Sequence, residues 1–204
     1  MGKSLFSDAE KYLIERWQDV YDVNTCVDDI RGKHSSLLEK VVEEVKDRHS
    51  EITEVVLYPT IGAETRHIGF GKDQWGGKKP WISGIWIEEI GIDSLLTPDN
   101  AGRPNASIWF DSEGKAAQSS KDCVKAVKSA FEVILTPEEK EFWNKGSDPE
   151  IGLCFTLPET KKDFQEMLLE ADGQRFVDCI VKHFESLFRF IKAIDKGIAV
   201  SRGS

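Results

Sequence analysis

Hydrophobic positions along this chain switch between a helical and an extended period. Near the N-terminus Ala9, Tyr12, Leu13, Trp17, Val20 and Tyr21 recur at spacings of three and four, which predicts an amphipathic helix over residues 8–22. Ser7 and Glu10 have the spacing of a capping box, in which each side chain bonds an orphan backbone N–H of the first turn. A second stripe of Val27, Ile30, Leu37, Leu38, Val41, Val42 and Val45 predicts a helix over 25–48, capped by Asn24 or Thr25 and weakened at Gly32. So short a connection implies an antiparallel helical hairpin over residues 1–50.

The period then shortens. ITEVVLYP (52–59), TRHIGFG (65–71), PWISGIWIEEI (80–90) and ASIWFD (106–111) read as strands of a meander over 51–112. The third is apolar on both faces, which predicts a central strand covered on both sides. DSLLTPDNAGRPN (93–105) reads as a loop. Beyond 113 the helical period returns in Cys123, Val124, Val127, Ala130, Phe131 and Ile134, and again after Thr136-Pro137. IGLCFTL (151–157) is a further strand, followed by helices near 160–171 and 174–196, the latter with Gly197 at its C-terminal cap. The order predicts an α+β protein with a central, mostly antiparallel sheet of about five strands, flanked by the N-terminal helical hairpin and by C-terminal helices. Residues 1–204 read as a single domain, with helices and one further strand over 113–204.

Composition narrows the function classes. With 27 Lys+Arg against 36 Asp+Glu the net charge is −9, which repels a polyanion and argues against nucleic-acid binding except through a local basic patch. The four cysteines are isolated from one another, without a C-x-x-C pair, and read as reduced thiols. The N-terminus carries no charged-then-apolar leader, and no apolar run is long enough to span a bilayer. A cytoplasmic protein with no membrane contact is expected.

Residues 69–86, GFGKDQWGGKKPWISGIW, hold five glycines, three lysines and three tryptophans. The glycine spacing fits neither the Walker A loop nor the dinucleotide fingerprint, and a strand follows where a phosphate site needs a helix N-terminus. What remains is a hairpin loop with a basic, aromatic tip. Arg66, Lys72, Lys78 and Lys79 face only Asp73 there, a local reversal in an acidic chain. Trp75 has no apolar neighbour in sequence; exposed, it can stack on a partner, and the other reading tucks it under the sheet. The candidate binding residues are therefore Arg66, His67, Trp75, Lys78 and Lys79, with a protein or small ligand as partner and no cofactor.

A second constellation is acidic. Pro98-Asp99, Asp111 and Glu113-Gly114-Lys115 spell P-D…E-x-K, which resembles the signature of the PD-(D/E)xK nuclease superfamily. The resemblance implies Asp99, Asp111 and Glu113 as ligands of a divalent metal, with Glu113 and Lys115 catalytic and the lysine positioning the attacking water. It covers those residues alone. The histidines, His34, His49, His67 and His183, show no metal-ligand spacing, and His183 reads as a boundary residue of the last helix. The favoured expectation is a binding or interaction domain that uses the 66–86 hairpin; a metal-dependent nuclease is the alternative.

Overall fold

The computed structural model describes residues 7–59, 65–75, 83–96, 104–110, 125, 128–129, 132–138, 140 and 152–201. The protein is a mixed α+β structure built on an antiparallel sheet. Its strands, β1 (Glu54–Pro59), β2 (Thr65–Gly71), β3 (Ser83–Glu88), β4 (Asn105–Phe110) and β5 (Gly152–Thr156), lie in the spatial order in which they occur in the chain. Each neighbouring pair is antiparallel.

Period-two alternation divides the sheet into two unlike faces. Ile68, Phe70, Ile85, Ile87, Ala106 and Ile108 share one face, are in register across β2, β3 and β4, and are buried. The other face carries His67, Trp86, Glu88, Ser107 and Cys154, of which only Ser107 is fully buried. The expectation of a third strand covered on both sides therefore holds for one face only. On the second face Trp86 lies over Gly69, its partner across the strands, and a Cβ at Gly69 would come within 2.6 Å of the indole. Only glycine leaves room for that ring.

The helices are α1 (Asp8–Glu15), α2 (Trp17–Arg48), α3 (Ile92–Leu96), α4 (Lys161–Leu168), α5 (Gln174–Phe188) and α6 (Ile191–Ser201), and the described residues within 125–134 and 137–140 are also helical. α5 is the core helix: Phe176, Val177, Ile180, Val181, Phe184, Leu187 and Phe188 are all buried. Phe184 packs edge-on against Phe70 of the sheet, with ring centroids 4.3 Å apart. Leu38, Val41 and Val45 of α2 join the same core. No helix among the described residues is long and apolar enough to cross a membrane.

Three sequence expectations need correction. The N-terminal hairpin does not form. α1 and α2 are separated by the single residue Arg16, and the expected turn at 22–25 is helical, with Thr25 Oγ1 donating back to the Tyr21 carbonyl at 3.0 Å. Asn24 and Thr25 are acceptable caps, but a cap ends a helix only where the chain is made to turn, and this segment holds neither proline nor glycine to force it. The Ser7–Glu10 capping box is present as expected. Second, the loop at 93–105 begins with the short helix α3. Third, the final helix is two, α5 and α6, parted at Arg189–Phe190, so that Gly197 lies inside α6. The turn drives Phe190 fully into the core, which repays the interrupted ladder.

Candidate functional site

The stretch after β2 shows what the basic hairpin does. Residues Asp73–Trp75 form one 3₁₀ turn, closed by Trp75 N–H donating to the Lys72 carbonyl at 2.8 Å. The Asp73 amide donates to Thr53 Oγ1 at 2.8 Å, which ties the turn to the start of β1. Trp75 is only 1 % exposed. Its indole Nε1 donates to Asp195 Oδ1 of α6 at 2.6 Å, and Gln74 Nε2 reaches the same oxygen at 2.8 Å. Lys72 Nζ pairs with Asp195 Oδ2 at 2.8 Å and stands 5.8 Å from the indole ring centre.

Of the two readings of Trp75 the buried one holds, and the stacking role falls with the other. Its apolar partners come from distant parts of the chain, and one carboxylate on α6 gathers the lysine, the amide and the indole. Trp75 offers no ring face to a partner. His67 is half-buried in β2, with Nδ1 accepting from the Glu89 amide at 3.3 Å. Arg66 lies in β2 where the register with β1 shifts beside Tyr58–Pro59, and its side chain is outside the described residues. Lys78 and Lys79 fall outside the described residues, as do Asp99, Asp111, Glu113 and Lys115.

Two features escaped the sequence reading. The first is the N-terminal half of α2. A 4-3 spacing runs through His34, Leu38, Val41 and Val45, the buried seam of this helix. The same spacing continues toward the N-terminus through Arg31, Val27, Asn24, Val20 and Trp17. None of those is buried, and no residue of α1 is buried either. Trp17, Tyr21 and Val23 are 65 %, 62 % and 61 % exposed, and Tyr12, Leu13, Ile14 and Ile30 are exposed too. These side chains leave apolar surface in water along both helices of the arm. The opposite face is polar, with Gln18 Nε2 donating to Asp22 Oδ1 at 2.8 Å and Thr25 and Asp29 beside them. The arm leaves the body at Arg31, whose guanidinium pairs with Asp93 of α3 at 2.9 Å and Asp28 at 3.4 Å. One turn further on, His34 is buried against Phe176, and desolvation lowers its pKa to about 4 although it bonds the Ile90 backbone.

The second feature is the group of Glu159, Cys179 and His183, whose ligating atoms all lie within 4.8 Å of one another. Cys179 and His183 are four residues apart on α5, one turn above each other on one face. Glu159 precedes α4 and accepts from His183 Nε2 at 2.7 Å. Burial, reinforced by the charge and hydrogen bond of Glu159, pushes the Cys179 thiol up to about 12. A search for close cysteine pairs misses this group, because a mixed Cys-x-x-x-His pair on a helix needs its third member from a distant loop. The view that the histidines lack ligand spacing is corrected for His183.

Comparison with family models, with characterised proteins and with solved structures finds no match, so the function is read from this geometry alone.

Proposed function

We propose that this chain is an interaction module that self-associates through its N-terminal helical arm, Trp17–Arg31 of one copy lying on the same segment of a second. The observation that carries this is the seam itself: one 4-3 stripe is buried in the core over its C-terminal half and reaches water over its N-terminal half, where Trp17 is exposed and Val20 and Val27 are only half-buried. A solitary helix gains little from propensity alone, and most helices are held by packing of an amphipathic face. Val20, Val23, Thr25, Val27, Asp28, Asp29 and Gly32 are all poor helix formers, so this arm needs a covering partner.

Several observations favour a second copy as that partner. Asn24 stands within an otherwise apolar run, the position at which one polar residue sets register and oligomeric state in paired helices. Asp19 and Asp28 flank the apolar face of the arm and are already paired, with Arg16 and Arg31, which softens the meeting of two acidic copies. A membrane surface fits poorly, since the polar face carries Asp22 and Asp29 where an interfacial helix carries lysine and arginine. The described cysteines, Cys26, Cys154 and Cys179, are free thiols, which supports a reducing, cytoplasmic setting.

Sedimentation equilibrium tests the reading. Wild-type protein is expected to be a dimer in the micromolar range. Trp17→Glu combined with Val27→Glu is expected to give a monomer that loses roughly 25 residues of helical circular dichroism as the uncovered arm melts. A wild-type chain that stays monomeric at every concentration while keeping its full helix content overturns the proposal.

A further inference from the structure

We propose that Glu159, Cys179 and His183 bind one divalent transition-metal ion of the zinc type, through a carboxylate, a thiolate and an imidazole, with a fourth position open to water. The site is separate from the arm and does not depend on self-association.

The geometry is close to what such an ion requires. Metal–ligand bonds of about 2.0–2.3 Å place tetrahedral ligands roughly 3.3–3.8 Å apart. The three ligating atoms lie within 4.8 Å of one another, and the 2.7 Å separation of His183 Nε2 from Glu159 Oε2 needs to open by roughly 1 Å, within reach of side-chain rotation. The supports are rigid. Cys179 and His183 project from α5, whose inner face is anchored in the core by Phe176, Ile180, Val181 and Phe184. Glu159 sits in a short connection held at both ends. Leu157 N–H donates to the Pro104 carbonyl at 3.0 Å, and the Thr160–Asp163 capping box starts α4. All three ligands are partly accessible, which leaves an entry path.

The donor set selects the metal. One soft sulfur, one imidazole nitrogen and one carboxylate suit zinc and its neighbours, whereas magnesium and calcium take oxygen ligands. The charge closes as well: a thiolate and a carboxylate neutralise a dication. Binding replaces the S–H bond of Cys179 by a metal–sulfur bond, and that proton leaves to solvent. The imidazole, which donates from Nε2 to Glu159 without metal, ligates through Nε2 once its single proton has moved to Nδ1. Glu159, which accepts from both neighbours without metal, becomes the third ligand. Three protein ligands with an open fourth place is the pattern of zinc sites that activate water or receive an exogenous ligand.

Cobalt(II) is the probe, because a cobalt–thiolate bond gives a near-ultraviolet charge-transfer band that reports sulfur ligation directly. Titration of the full-length chain is expected to saturate at one cobalt per chain with that band, and zinc is expected to abolish it by displacement. Cys179→Ser should remove the band, while Cys26→Ser, on the exposed arm, should leave it intact. Glu159→Gln and His183→Asn should each weaken zinc binding by more than about a hundredfold, the upper end of what losing an outer-shell partner does. The inference is overturned if wild-type protein shows no saturable charge-transfer band, or if the band survives Cys179→Ser. Should that variant misfold, the wild-type spectrum and the His183→Asn affinity decide the matter by themselves.

Discussion

Asp195 is the residue on which the fate of the basic hairpin turns. Its two oxygens accept from Lys72 Nζ at 2.8 Å, Gln74 Nε2 at 2.8 Å and Trp75 Nε1 at 2.6 Å. Lys72 is mostly buried, and Trp75 is sealed in the core. Asp195→Ala removes all three acceptors at once. A hydrogen bond to a charged group contributes about 1.5–3 kcal/mol, and a donor left buried without a partner costs about 1–3 kcal/mol. The three bonds share one carboxylate and are not additive, and Asp195 is itself partly exposed, so the expected loss is about 3 kcal/mol rather than the sum. Asp195→Asn keeps a carbonyl for the indole but gives up the charge opposite Lys72, for an expected loss of about 1 kcal/mol. Equilibrium urea unfolding at pH 7 measures both. A double-mutant cycle with Lys72→Met should return a coupling of about 1 kcal/mol or more. If Asp195→Ala costs no more than Asp195→Asn, the carboxylate is not holding Trp75 in place and the buried position needs another cause.

Two further perturbations test the body of the fold. His34 titrates near 4 in the folded protein against 6.5 when unfolded, so the unfolded chain takes up the proton first as pH falls. Its contribution is intact above about pH 6.5 and is lost progressively down to about pH 4, a fall of about 3 kcal/mol. Urea midpoints across that range should show it. His34→Leu should flatten the slope, and an unchanged slope would refute the assignment, with Asp93 the nearest charged group to reconsider. Gly173 has φ +64° and no room for a Cβ, which would lie 2.7 Å from Leu37 Cδ1. Gly173→Ala should therefore cost about 2 kcal/mol, or a melting point lower by about 4–8 °C, whereas Gly32→Ala meets nothing within 4 Å and should stabilise the arm helix by up to about 1 kcal/mol.

Local chemistry made much of the architecture readable. The Ser7 capping box, the alternation of ITEVVLYP and ASIWFD, and the wide apolar face of Phe176 through Phe188 each act over a few residues, so their pattern survives in one dimension. The α+β class follows from them. The candidate site was less legible. Trp75 stands among glycines and charges in sequence, and nothing near it announces an acceptor 120 residues away on α6. The arm was misread for a related reason. Asn24 and Thr25 look like caps, but whether a helix reverses there depends on what its apolar stripe packs against.

What the sequence by itself determined is periodicity, capping and charge: which segments are helical or extended, which stripe of each is apolar, and that the chain repels polyanions. Only the tertiary structure decided which stripes find partners. It buried Trp75 under Asp195, left Trp17 exposed and Val27 half-buried along a seam that is core one turn beyond Arg31, and set Glu159 against Cys179 and His183. The physical reason is the same in each case. Hydrophobic burial and side-chain pairing are satisfied by proximity in space, and a loop of any length can supply that proximity at an entropic cost that grows only slowly with its length.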